Sequence, residues 1–185
     1  MLERFLSNVN FNSYEDLYEN FEIKLPGNFN YAFDVVDEIA KDTPDRTAMV
    51  WCDDKGKEAI FSFADIKKYS NKAANFFKSQ GVVKGDRVML ILKRRYEFWF
   101  CLLGLHKLGA ICIPATHLLT KKDIVYRCNA ADIKMLVSVS DEDVIEHVEQ
   151  SAAESPTLKT KVLVDSSRDG WLNLNDELQK ASDIF

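Results

Sequence analysis

Three short stretches hold residue types that could do chemistry. Lys93-Arg94-Arg95 follows an apolar run ending at Leu92. Three cations beyond the carboxyl end of a strand could contact phosphates, because open α/β sheets bind ligands at that edge. The same three would also suit a solvated loop, where Lys and Arg are most often found. Pro114-Ala115-Thr116-His117 follows the next apolar run and leads to Thr120-x-x-Asp123, with Lys121 and Lys122 just behind. A helix start with free amides and two cations suits an anion or a polar cofactor arm. An ordinary strand-to-helix loop is the alternative. Asp141-Glu142-Asp143 has the form of paired catalytic carboxylates, but acids in a first helical turn are also what the helix dipole favours, and that is how we read them.

Other chemistry is missing. The seven glycines, at 27, 56, 81, 85, 104, 109 and 170, form no G-x-G-x-x-G. Gly104 and Gly109 have the separation of a P-loop, but Ala110-Ile111 follows instead of Lys-Ser/Thr. There is no G-x-S-x-G elbow, and His106, His117 and His147 make no zinc-binding pair. The residues alone assemble no catalytic constellation and no metal site. Cys52, Cys101, Cys112 and Cys128 contain no C-x-x-C. Three sit in apolar runs, where a reduced thiol behaves as a small hydrophobe. We therefore expect a reducing, cytoplasmic compartment.

Composition narrows the class. A net charge of −5 gives no electrostatic reason to expect nucleic acid or an anionic membrane. An apolar share of 46% and a charged share of 29% suit a globular protein. With only seven glycines and four prolines in 185 residues, disordered and collagen-like readings are excluded. The opening residues carry Glu3 and too short an apolar stretch for a signal peptide. The apolar region Phe98–Ala115 is interrupted by His106-Lys107, so no membrane span is expected.

The elements that must position these residues follow from periodicity. Residues 1–29 read as an N-terminal arm. Asn30 can cap a helix to about Lys41, ended by Thr43-Pro44. Thr47–Cys52 and Glu58–Phe63 flank Asp53-Asp54-Lys55-Gly56, a hairpin signal. Ser62-x-x-Asp65 has capping-box form for a helix to about Gln80. Strands near 87–92, 110–113, 134–139 and 161–164 then alternate with helices near 96–108, 120–131 and 140–154, the last capped by Ser140-x-x-Asp143. A final short helix lies within 170–185. This order predicts an α/β fold: a parallel βαβ sheet with helices on both faces, and the N-terminal helix and hairpin beside it.

At Leu102-Leu-Gly-Leu-His-Lys-Leu-Gly-Ala-Ile-Cys-Ile-Pro114 the chain resembles the N-terminal part of the adenylate-forming acyl-CoA synthetases, particularly the acetyl- to medium-chain group. Phe61-Ser-Phe-Ala-Asp-Ile66, Gly81-Val-Val-Lys-Gly-Asp-Arg-Val88 and Tyr96-Glu-Phe-Trp99 resemble three further family segments in the same order. The resemblance covers about residues 30–185 and implies activation of a small carboxylic acid by ATP, with Mg²⁺ on the phosphates, then transfer of the acyl group to coenzyme A. It implies that Thr116 and His117 face the coenzyme A channel, and it assigns no catalytic residue. The family's phosphate loop and Lys-bearing C-terminal domain are not found in these residues. The expected object is therefore the first part of an adenylation domain, inactive alone, that could self-associate through apolar surface near Tyr96–Leu108. A non-enzymatic α/β interaction domain and a carrier-protein-loading adenylation domain are the alternatives.

Overall fold

The computed structural model describes residues 2–185. Helix α1 (Tyr14–Asn20) lies in the N-terminal arm and buries none of its residues. The arm meets the body through Arg4, ion-paired with Glu38 at 2.9 Å, and Phe5, edge-on to Phe29. Helix α2 runs as a π-helix over Ala32–Asp37 and as an α-helix over Glu38–Asp42. Asn30 caps it, its side-chain oxygen accepting from the Ala32 N–H at 3.0 Å. Strands β1 (Thr47–Cys52) and β2 (Glu58–Ser62) form an antiparallel hairpin that pairs with no other strand among the described residues. Helix α3 (Phe63–Ser79) starts at Ser62 with the expected reciprocal cap to Asp65.

The sheet contains β3 (Arg87–Ile91), β4 (Ile111–Pro114), β5 (Ile133–Ser138), β6 (Thr160–Leu163) and β7 (Leu172–Asn173). Its order is β4-β3-β5-β6-β7, and every pairing is parallel. The four expected strands are present, and β7 is an addition. At two residues it is too short to leave a pattern in sequence. The connecting helices are α4 (Glu97–Leu108), α5 (Lys121–Ala130) and α6 (Glu142–Ser151), and α7 (Leu174–Lys180) follows β7.

Alternation along the strands decides which helices cover which face. Val88, Leu90 and Leu92 pack with Phe76 and Phe77 of α3, Cys101 and Leu105 of α4 and Leu178 of α7. Met89 and Ile91 pack with Ile124 and Cys128 of α5 and with Ile145 and Val148 of α6. Each such fully buried side chain stabilises the fold by about 1.5–3 kcal/mol. A third cluster, built on Ala32, Val36, Ile66, Phe100 and Leu103 with Met49 and Phe61 against it, fastens α2 and the hairpin to α3 and α4.

Two glycines of the P-loop-like spacing have packing roles instead. Gly104 lies where α4 crosses α3, and an added Cβ would stand 2.8 Å from both the Ala73 Cβ and the Ala74 nitrogen. Gly109 ends α4 in the left-handed region at φ 69°. Lys107, on α4, is buried, yet its ammonium is saturated. It donates to both Asp37 oxygens (2.8 and 2.9 Å) and to Asn71 Oδ1 (2.6 Å).

One expected cap is corrected. Helix α6 is capped at Asp141 rather than at Ser140, and without a side-chain cap bond. The Asp141 carboxylate is turned instead toward Lys93.

Candidate functional site

From β3 the chain crosses through α4 to β4 on one side, then returns through α5 to β5 on the other side. The two crossovers run in opposite directions along the sheet, placing β4 and β5 on either side of β3, and open a crevice beyond the carboxyl ends of these strands, the place where open α/β sheets bind ligands. A cleft of about 770 Å³ lies there. Lys93, Arg94 and Arg95 form its floor, Ala115, Thr116 and His117 one side, and Trp51 to Lys55 of the hairpin the other. A second hollow of about 380 Å³ shares Lys55, Lys93, Arg95 and Val139 with the cleft and runs on toward Asp141 and Asp165.

The floor is built on ion pairs. Lys93 turns the chain out of β3 at φ 47° and donates to Asp141 Oδ2 at 2.5 Å. That bond, with the Lys93 charge behind it, holds the Asp141 carboxyl below its ordinary range. Arg95 grips Glu97 with two bonds, Nε–Oε2 at 2.9 Å and Nη2–Oε1 at 2.6 Å, and also pairs with Asp165. Its guanidinium lies over the rings of Trp51 and Tyr96. Glu97 is only 1% exposed, so Arg95 is its neutralising partner in the interior. Burial works against the Arg95 charge, but Glu97 and Asp165 outweigh it and hold the guanidinium charged. The neighbouring Tyr96 hydroxyl is pushed up to about 12, by burial first and by the Glu97 charge second.

The sequence-predicted candidates therefore part ways. Of Lys93-Arg94-Arg95, two cations are committed to carboxylates, and Arg94 makes no ion pair among the described residues. Thr116 and His117 are exposed and line the cleft together, with Thr116 Oγ1 accepting from the Leu118 N–H at 3.3 Å. The start of α5 is not the open anion site its sequence suggests. Thr120 and Asp123 cap it reciprocally, and Lys121 is drawn away to Glu154 at 2.6 Å. Asp141 and Glu142 are no catalytic pair, because Asp141 is tied to Lys93 and Glu142 to Arg168. Trp51 and Lys55 were not foreseen as site residues. Nothing local marks them, since their place depends on how the hairpin docks.

Residues 36–184 match the family described as AMP-binding enzyme. The chain belongs to that family. It is 41% identical over 169 residues to a rat protein named acyl-coenzyme A synthetase ACSM4, mitochondrial, a match covering 88% of this chain and 29% of the relative. It is 38% identical over 165 residues to the human protein named acyl-coenzyme A synthetase ACSM5, mitochondrial, covering 85% and 28%. Among solved structures it resembles the anthranilate CoA ligase AuaEII in complex with anthranoyl-AMP, with a TM-score of 0.74 and 22% identity over 87% of this chain and 30% of that one. That likeness supports the fold. The chain thus spans less than a third of the length of these relatives.

The relatives correct the expected cytoplasmic location, because their names place them in mitochondria. All four cysteines are free, and that carries no address. Among the described residues no helix is long and apolar enough to cross a membrane. Nor does any group of three or more His, Cys, Asp or Glu converge where it could hold a metal ion.

Proposed function

We propose that the chain forms the first part of the adenylation domain of an AMP-forming acyl-CoA synthetase, with residues 30–185 in that domain and 1–29 as an arm. In the whole enzyme a carboxylate oxygen attacks the α-phosphorus of ATP and expels pyrophosphate. The sulfur of coenzyme A then attacks the acyl carbonyl and expels AMP. The family match over residues 36–184, set on a sheet whose switch-point cleft is open, carries this reading. The relatives' names favour coenzyme A over a carrier protein as acceptor, and an enzyme over an interaction domain. We further propose a short- or medium-chain carboxylate as substrate, with acetate and fatty acids the classes to try first, and a mitochondrial location.

The chain's own contribution is a corner of the acceptor path. Thr116 and His117 border the cleft from the carboxyl end of β4, where a bound coenzyme A arm would pass. A large side chain there closes the path without touching the adenylating groups, which lie outside these 185 residues. In the full-length enzyme, Thr116→Trp should slow acyl-CoA release at least tenfold and leave carboxylate-dependent pyrophosphate exchange within about twofold, a split expected when only one half-reaction loses its positioning. Equal loss of both rates, or no loss of either, contradicts the assignment.

A further inference from the structure

The charges around the cleft can be paired off one by one. Asp141 takes Lys93, and Glu97 and Asp165 take Arg95. Among the described residues two cleft cations form no ion pair, Arg94 on the sheet edge and Lys55 on the hairpin turn. Lys55 also lines the adjoining hollow, so its position spans both parts of the crevice.

The hairpin that carries Lys55 needs an anchor, because two strands alone are marginal in water. Trp51 provides it. Its Nε1–H donates to the Arg94 carbonyl at 2.7 Å, and its ring stands edge-on to Tyr96 with centroids 5.1 Å apart. The Arg95 guanidinium lies 5.7 Å from the same ring. The turn itself is closed by Asp53, whose carboxylate accepts from the N–H groups of Lys55 (2.9 Å) and Lys57 (2.8 Å), while Gly56 takes φ 80°. The Lys57 bond and its companions hold the Asp53 carboxyl below its ordinary range. The Asp53 carboxylate is engaged by the turn's own amides and also interacts with the Lys55 and Lys57 charges without forming an ion pair with either. Asp54 also lines the cleft and opposes an anion there, which keeps the expected effect of Lys55 modest.

We infer that the β1–β2 hairpin is a wall of the ligand cleft, in which Lys55 contacts a phosphate-bearing arm of the ligand and Trp51 is the positioning residue that holds the wall against the sheet edge. The inference rests on the acyl-CoA synthetase reading only for the identity of that arm. The geometry calls for phosphate chemistry, which coenzyme A or an inorganic phosphate compound could supply.

The test follows the Trp51 indole N–H signal by NMR in the 185-residue chain, assigned by its loss in Trp51→Phe. Coenzyme A, pantetheine and pyrophosphate are titrated into the wild type, Lys55→Ala and Trp51→Phe, using backbone amide shifts for the Phe variant. The phosphate-bearing probes should move the Trp51 signal. Lys55→Ala should weaken their binding about fivefold, the scale of one exposed ionic contact. Trp51→Phe should weaken it similarly while its backbone amide spectrum outside the hairpin and cleft stays that of the wild type. Pantetheine, which has no phosphate, should bind all three proteins alike. Pyrophosphate binding without coenzyme A binding leaves the wall standing and removes the coenzyme A reading of the cleft. Wild-type affinity in Lys55→Ala, or an indole signal unmoved by either phosphate compound at millimolar concentration, overturns the wall. Wild-type affinity in Trp51→Phe overturns the role given to Trp51.

Discussion

Arg95 and Glu97 show how the site is held at the scale of single residues. Replacing Arg95 by Met strands the Glu97 carboxylate in the interior, where an uncompensated charge is costly. We expect a loss of about 2–4 kcal/mol, because Arg95 itself keeps some solvent access. The double variant Arg95→Met/Glu97→Gln should recover most of it, since no buried charge then remains. Urea unfolding of the two single variants and the double variant measures the coupling, and additive losses would contradict the pairing. Contacts of this kind are not legible in a sequence: Lys93 meets Asp141 and Arg95 meets Asp165 across 48 and 70 positions. The caps at Ser62/Asp65 and Thr120/Asp123 were legible because both partners lie within one helical turn. The same locality misled at Ser140, where a distant lysine decides the outcome.

Elements were the most readable scale. Short apolar runs between capped helices can be buried on both sides only in a covered parallel sheet, and β3 and β5 are such strands. The π-helical turn of α2 was not legible, since Ala32–Asp37 contains neither Gly nor Pro to mark a departure. Gly104 illustrates what a helix pair requires that periodicity does not show. Gly104→Ala would gain about 1 kcal/mol of helix propensity, yet it sets a methyl 2.8 Å from the backbone of α3. Overpacking of this sort costs about 1–3 kcal/mol, so the variant should be less stable than the wild type despite the better helix former. A higher urea midpoint for Gly104→Ala would show that α3 and α4 can separate at no cost.

At the scale of the whole molecule, apolar surface is left over beside α4. Tyr31, Val36, Met49, Phe63, Trp99 and Leu102 line a groove of about 350 Å³, and Trp99 is 50% exposed. We expect the 185-residue chain to associate through this face, because aromatic and Met side chains gathered in an apolar groove are enriched at the centres of protein interfaces. Light scattering over a concentration series should show mass growth in the wild type and a monomer in Trp99→Arg. A wild type that stays monomeric at every concentration contradicts this use of the groove. Fold class and family were legible at this scale, through ordered motifs from Phe61 to Pro114. The location was not, because a reduced cysteine inventory is shared by more than one compartment.

The proposed activity, joining a carboxylate to coenzyme A with ATP cleaved to AMP and pyrophosphate, can be measured directly. The most direct measurement is nucleotide release by the full-length protein that carries this sequence, assayed with short- and medium-chain carboxylates. AMP and acyl-CoA should appear in equal amounts, and only when carboxylate and coenzyme A are both present. Release of ADP instead of AMP, or no carboxylate-dependent AMP with any acid in the series, would contradict it.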